Sequence, residues 1–211
     1  GTDINCGMRL LSLGTTLAQA EQQRETLVQA LTRVLLQNGR NIPLHTQAFE
    51  TLLTQSPEAF LDEQRLKEGL WQAVDRTRLE RELVNCIGLT QLPPAQSKHL
   101  PDAYLSKTNT LYRDPCLGTI GSGNHFVELQ QVAEIMDSKA AYQAGIKQGD
   151  LVAMIHSGSR DLGFYVGKQW MDRAKNEWPH HLKHPQHELY GLTGTLTQEY
   201  LQAMSAAARY A

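Results

Sequence analysis

Cysteine is scarce in this sequence. Its 211 residues hold three, Cys6, Cys86 and Cys116, far apart and with no CxxC pair. An odd, scattered set does not make a disulfide scaffold, so a reducing compartment and a cytoplasmic location are expected. No apolar run is long enough to cross a bilayer, and no signal-peptide pattern stands at the start, so no membrane role is expected. Charge is balanced too, with 20 Lys and Arg against 22 Asp and Glu. No overall field draws in nucleic acid or an anionic surface, although a local patch can hide in a neutral total. Internal repeats and low-complexity tracts are missing. Neither GxxxxGK[ST] nor GxGxxG occurs, and "HSGSR" is no GxSxG elbow because Ile155 stands where the first glycine belongs.

What remains has an ordinary globular composition, 41% hydrophobic and 20% charged, and a length that can bury a core. "DINCGMRLLSLG" (3–14) reads as a strand or buried extended segment. In the stretch 20–39, Leu27, Val28, Leu31, Val34 and Leu35 share one helical face, with Gly39 as the expected cap. Ser56-Pro57-Glu58 is a helix start. Leu79, Leu83, Val84 and Ile87 mark a further helix ending near Gly88. The stretch 91–118, broken by prolines, reads as a long surface loop or a strand-poor connection. "HFVELQQV" and "DLVAMIHSGSR" read as strands, "LGFYVGKQWMDRAKNEW" as a helix, and a last helix starts at Thr197. The expected class is mixed, α/β or α+β. The start without methionine and the helical end without a stop signal lead us to expect a piece of a longer protein.

Four residues have the chemistry of metal ligands: Asp3 and Cys6 in a D-x-x-C pair, His125 after a glycine loop, and His156 at the end of an apolar strand. Carboxylate, thiolate and imidazole together suit a first-row ion, and their softness points to zinc. On a regular strand Asp3 and Cys6 face opposite ways, so a shared ion needs a backbone turn, which Gly7 eases. Each residue also has a plainer reading, the cysteine as a small core residue and the histidines as satisfied strand-end residues. Cys86 and Cys116 take that plainer reading. His180, His181, His184 and His187 form the densest imidazole cluster, but prolines flank it and a solvated loop is the better reading. The loops "GSGN" and "SGSR" offer backbone amides that can cradle phosphate. Arg160 is the natural phosphate partner beside them, through its planar fork.

"DINCGMRL", "GTIGSGNHFVEL" and "MIHSGSRDLG", in that order, closely resemble the RtcB RNA-splicing ligases, and the resemblance spans essentially all of 1–211. It implies an RtcB-like α+β fold, one domain of mixed sheets flanked by helices, here a partial catalytic domain carrying metal and nucleotide. It implies ligation of RNA, tRNA among its substrates, joining a 3′-phosphate or 2′,3′-cyclic phosphate to a 5′-hydroxyl, with GTP and two Mn²⁺ ions. By the same resemblance Asp3, Cys6, His125 and His156 are metal ligands, with Cys6 bridging the ions. Asn124, His125, Phe126, Val127 and Glu128 match the guanylate pocket. Arg160 is our own assignment, to an RNA phosphate or a developing charge. Manganese comes from the family, and zinc can occupy such a site in a purified sample. The family's third metal histidine and its GMP-accepting histidine have no matching motif here and are expected beyond Ala211, so this stretch alone should not complete the reaction. "DLGF" after "HSGSR" departs from the common pattern and bears on substrate preference. An archease-type activator is a further partner that the resemblance implies. The competing readings are a relative that repairs other broken RNA, and a non-catalytic metal- or RNA-binding remnant.

Overall fold

The computed structural model describes residues 4–105 and 108–211. Five strands and eight α-helices are present among them. They are β1 (Gly7–Thr16), α1 (Leu17–Glu21), α2 (Arg24–Leu35), β2 (Leu44–His45), α3 (Thr46–Thr54), α4 (Pro57–Glu63) and α5 (Arg76–Leu83). Then follow β3 (Leu111–Tyr112), β4 (Phe126–Gln131), α6 (Ser138–Ala144), β5 (Asp150–Ser157), α7 (Arg160–Asn176) and α8 (Thr195–Tyr210). The fold is α+β. Among the described residues two compact units form: a sheet unit from 6–40 and 118–157, and a helical unit from 4–5, 41–117 and 158–211.

The sheet unit is built on three antiparallel strands in the order β1-β5-β4. Its middle strand is an apolar run in which Leu151, Val152 and Ala153 are buried. The expected helix over 20–39 is divided into α1 and α2. Thr16 and Gln19 close a reciprocal capping box over α1. After α2 it is Asn38, not Gly39, that turns left-handed, at φ 55°. Leu27, Leu31 and Leu35 of α2 face Val127, Leu129 and Leu151 across cavities of about 740 and 710 Å³. Val28 and Val34 on the same helix stay exposed.

The helical unit buries one continuous core. Leu44, Phe49, Leu53, Leu100, Leu162, Val166 and Trp170 meet Ala203, Ala206, Ala207 and Tyr210 of α8. The small alanines let α8 lie close to its neighbours. Ser56 caps α4 through Ala59 N at 3.1 Å, as its S-P-E start predicts. Helix α5 stops at Leu83, short of the expected Gly88, which takes a left-handed turn instead.

The stretch 91–118 is strand-poor, as expected, with Leu111–Tyr112 its strand among the described residues, but parts of it enter the core. Ala95, His99, Leu100, Asp114 and Cys116 are buried. Prolines set extended backbone there without excluding it from a core. Asp114 explains how so irregular a segment is held. One carboxylate oxygen accepts from Cys116 N (2.8 Å), Leu117 N (2.7 Å) and the Tyr210 hydroxyl (2.6 Å), and the other accepts from the Tyr112 hydroxyl (3.0 Å). The buried Arg209 donates to the carbonyls of Leu53, Leu92 and Pro93, tying the same stretch to α3. Each such buried group would cost a full desolvation penalty if its partner were lost.

Burial, reinforced by the Asp114 charge, pushes the Tyr210 phenol far above its ordinary range, and Tyr112 moves the same way. Unfolded tyrosine ionises near pH 10.0 while the folded phenols stay protonated, so above that pH the unfolded state binds fewer protons and stability falls. Urea midpoints are expected to drop as pH rises from about 9 to about 11. Tyr210→Phe should cost about 1 kcal/mol at neutral pH and flatten that drop. An equally steep drop in the variant would show that Tyr210 is not its source.

Candidate metal centre

The antiparallel order brings the beginnings of β1 and β4 to the end of β5. Met8 and Phe126 are both register partners of His156. Cys6 immediately precedes β1 and His125 immediately precedes β4, so both arrive beside His156 for topological reasons alone. Cys6 Sγ lies 2.8 Å from His156 Nε2 and 3.4 Å from His125 Nε2. These three ligand atoms lie within 4.8 Å of one another.

The two rings are oriented by carbonyls. His156 Nδ1 lies 3.1 Å from Gly7 O, and His125 Nδ1 lies 2.9 Å from Ile120 O. A carbonyl only accepts, so each Nδ1 carries the proton, and in the neutral ring each Nε2 presents a lone pair toward the sulfur. Donation of the second ring N–H to a carbonyl is how metal-ligating histidines are commonly oriented. Ser157 Oγ donates to the same Ile120 carbonyl at 3.0 Å, which ties the glycine loop to the end of β5. The Phe126 ring packs on His156 with centroids 5.6 Å apart. The donor set fits a first-row cation. Donors on one tetrahedral ion stand about 3.5 Å apart. The Cys6–His125 pair already has that spacing, whereas the Cys6–His156 pair must open to reach it.

The other expected residues fall in several places. Asn124 lies on the loop before β4, and its Nδ2 is 3.2 Å from His156 Nε2. Val127 turns to the cavity under α2. Glu128 is exposed and accepts from Gln130 at 2.7 Å. Arg160 belongs to the helical unit, where it opens α7 with an unusual left-handed φ of 51°. Asp3 lies outside the described residues. The turn before Cys6 is made by Asn5, at φ 58°, and not by Gly7, which is already in β1. The imidazoles of His180, His181, His184 and His187 stay exposed, and His184 bonds to the Tyr190 hydroxyl. Among the described residues no other cluster of metal-ligand type forms. Cys116 is buried, and burial raises its thiol, with Asp161 adding to the effect. Sequence reasoning missed Gly7 O and Ile120 O, since a backbone carbonyl has no side-chain signature, and it read Ser157 only as part of a loop suited to phosphate.

The glycine loop has a conformational cause. Gly118, Gly121 and Gly123 all adopt positive φ, between 74° and 99°. A Cβ on Gly123 would meet nothing within 4 Å, so backbone conformation, not crowding, calls for glycine there.

The family model described as tRNA-splicing ligase RtcB matches residues 1–211. The tRNA-splicing ligases RtcB of Pyrobaculum aerophilum and Archaeoglobus fulgidus are each 31% identical to this chain over its full length. The RNA-splicing ligase RtcB homolog 2 of Entamoeba dispar is 33% identical. The chain covers 42% of each of the first two relatives and 38% of the third.

Gly123→Ala is expected to lower stability by about 1–2 kcal/mol through backbone strain alone. Urea unfolding measures it, and an unchanged midpoint would mean that the loop does not need its left-handed turn.

Proposed function

Since the chain belongs to the RtcB family, we propose that it supplies the metal- and nucleotide-binding residues of a GTP- and Mn²⁺-dependent RNA ligase. The reaction joins an RNA 3′-phosphate or 2′,3′-cyclic phosphate end to a 5′-hydroxyl end, with tRNA as one substrate. The observation that supports this is the convergence of a thiol and two carbonyl-oriented imidazoles in a chain that the family matches from end to end.

In this reading Cys6, His125 and His156 hold divalent cations, with Asp3 as an oxygen ligand. Bound cations would neutralise triphosphate charge and the leaving pyrophosphate. The chain's residues do the rest by position. Gly7 O and Ile120 O keep the two rings from turning, so both Nε2 atoms stay directed inward. Asn124 and the turn it occupies face the nucleotide, with Phe126 to Glu128 following on β4. Arg160 holds an RNA phosphate through two parallel hydrogen bonds, which a lysine cannot reproduce. A histidine nitrogen takes GMP from GTP, releasing pyrophosphate. A cyclic end is first opened by water to a 3′-phosphate and a 2′-hydroxyl; the 3′-phosphate then takes the GMP, and attack by the 5′-hydroxyl expels it. None of the eight histidines stands in the family's GMP-accepting motif, so that nucleophile is assigned outside these residues.

Intact mass of the full-length protein after incubation with Mn²⁺ and GTP is expected to show one GMP adduct, absent from Cys6→Ala. A folded, manganese-loaded protein without the adduct would remove the ligase mechanism. Arg160→Lys keeps the charge and loses the fork, so RNA joining should fall about tenfold or more while the adduct still forms. Undiminished joining would take Arg160 out of the reaction.

A further inference from the structure

His156 has one nitrogen committed and one contested. Its Nδ1 proton goes to Gly7 O. The Nε2 lone pair faces both the Cys6 sulfur at 2.8 Å and the Asn124 carboxamide nitrogen at 3.2 Å. An amide N–H and a cation cannot share one lone pair, so any ion that takes this nitrogen must first displace Asn124.

We propose that Asn124 is a gate on His156, surrendering Nε2 to a divalent cation and turning its freed carboxamide to the nucleotide. The proposal rests on the metal and nucleotide reading above and adds a coupling between the two. The loop is built to let that side chain turn. Asn124 is exposed, and Gly123 before it has open space where a side chain would stand. On the other side His125 is anchored to Ile120 O, so the main chain is held while the carboxamide swings. The carboxamide's N–H groups, once released, are donors suited to phosphate oxygens, and a hydrogen bond to a charged acceptor is worth more than the one given up. A cation alone must displace the carboxamide at a cost, and a bound nucleotide offsets that cost by taking the freed N–H groups. By reciprocity, cation and GTP should then each strengthen the other's binding through this one side chain.

The test is a Co²⁺ titration of the full-length protein, read by the thiolate-to-cobalt absorption band. Asn124→Ala removes the competitor, so Co²⁺ alone should bind roughly threefold to tenfold tighter than in the wild type. With Co²⁺ saturating, GTP should bind the same variant about tenfold or more weakly. Equal or weaker Co²⁺ binding, or unchanged GTP affinity, overturns the gate. Cys6→Ala separates this failure from a deeper one. A wild-type protein with no band that Cys6→Ala removes has lost the metal-centre reading itself. Should Asn124→Ala fail to fold, the Asn124 side-chain amide resonances of the wild type carry the test. They are expected to shift in step with Zn²⁺ addition, and resonances unmoved at saturation overturn the proposal.

Discussion

Strand β5 is hydrogen-bonded along both edges, to β1 and to β4, and both neighbours run against it. A side chain near its end therefore has a strand beginning on either side. His156 occupies that position, and the residues that enter the two strands are Cys6 and His125. A one-residue slip in either ladder would turn the facing residues to the other side of the sheet and scatter the three donors. The observed register sets Met8 and Phe126 on either side of His156.

The carbonyls of Gly7 and Ile120 add a second layer. They decide which nitrogen of each ring is protonated, and so which one is available. The Ile120 carbonyl serves both His125 and Ser157, so the loop before β4 and the end of β5 share one acceptor. The orientation of the imidazoles is a backbone property, insensitive to many substitutions of nearby side chains and sensitive to any change in the path of the loop.

Legibility in the sequence followed whether a feature was periodic or local. Strands β4 and β5, the Ser56 cap and α7 were visible, because alternation, capping and helical spacing act over a few residues. Cys6, His125 and His156 were visible as ligand types beside glycine turns, and their order along the chain pointed to the family. The stretch 91–118 was legible as strand-poor, but its buried points were not, because they depend on distant partners. Asp114 is held by Tyr210 from the far end of the chain, and His99 Nδ1 reaches Gln202 on α8. No local pattern announces such contacts. Asn5 and Asn38 were likewise passed over in favour of the glycines nearby, although asparagine tolerates the left-handed region better than most side chains.

The donors at the strand ends are distant in sequence: Cys6 is separated by 119 residues from His125 and by 150 from His156. A growing chain lengthens by roughly 5–20 residues each second, so the Cys6 thiol emerges about 8–30 s before the imidazole that will stand closest to it. Over that interval the sulfur has neither ring beside it and no sheet to hold it. It is then open to oxidation and to stray thiophilic ions. The time of greatest chemical exposure for this centre falls during synthesis, before any catalysis, and the reducing power of the surroundings matters most at that stage.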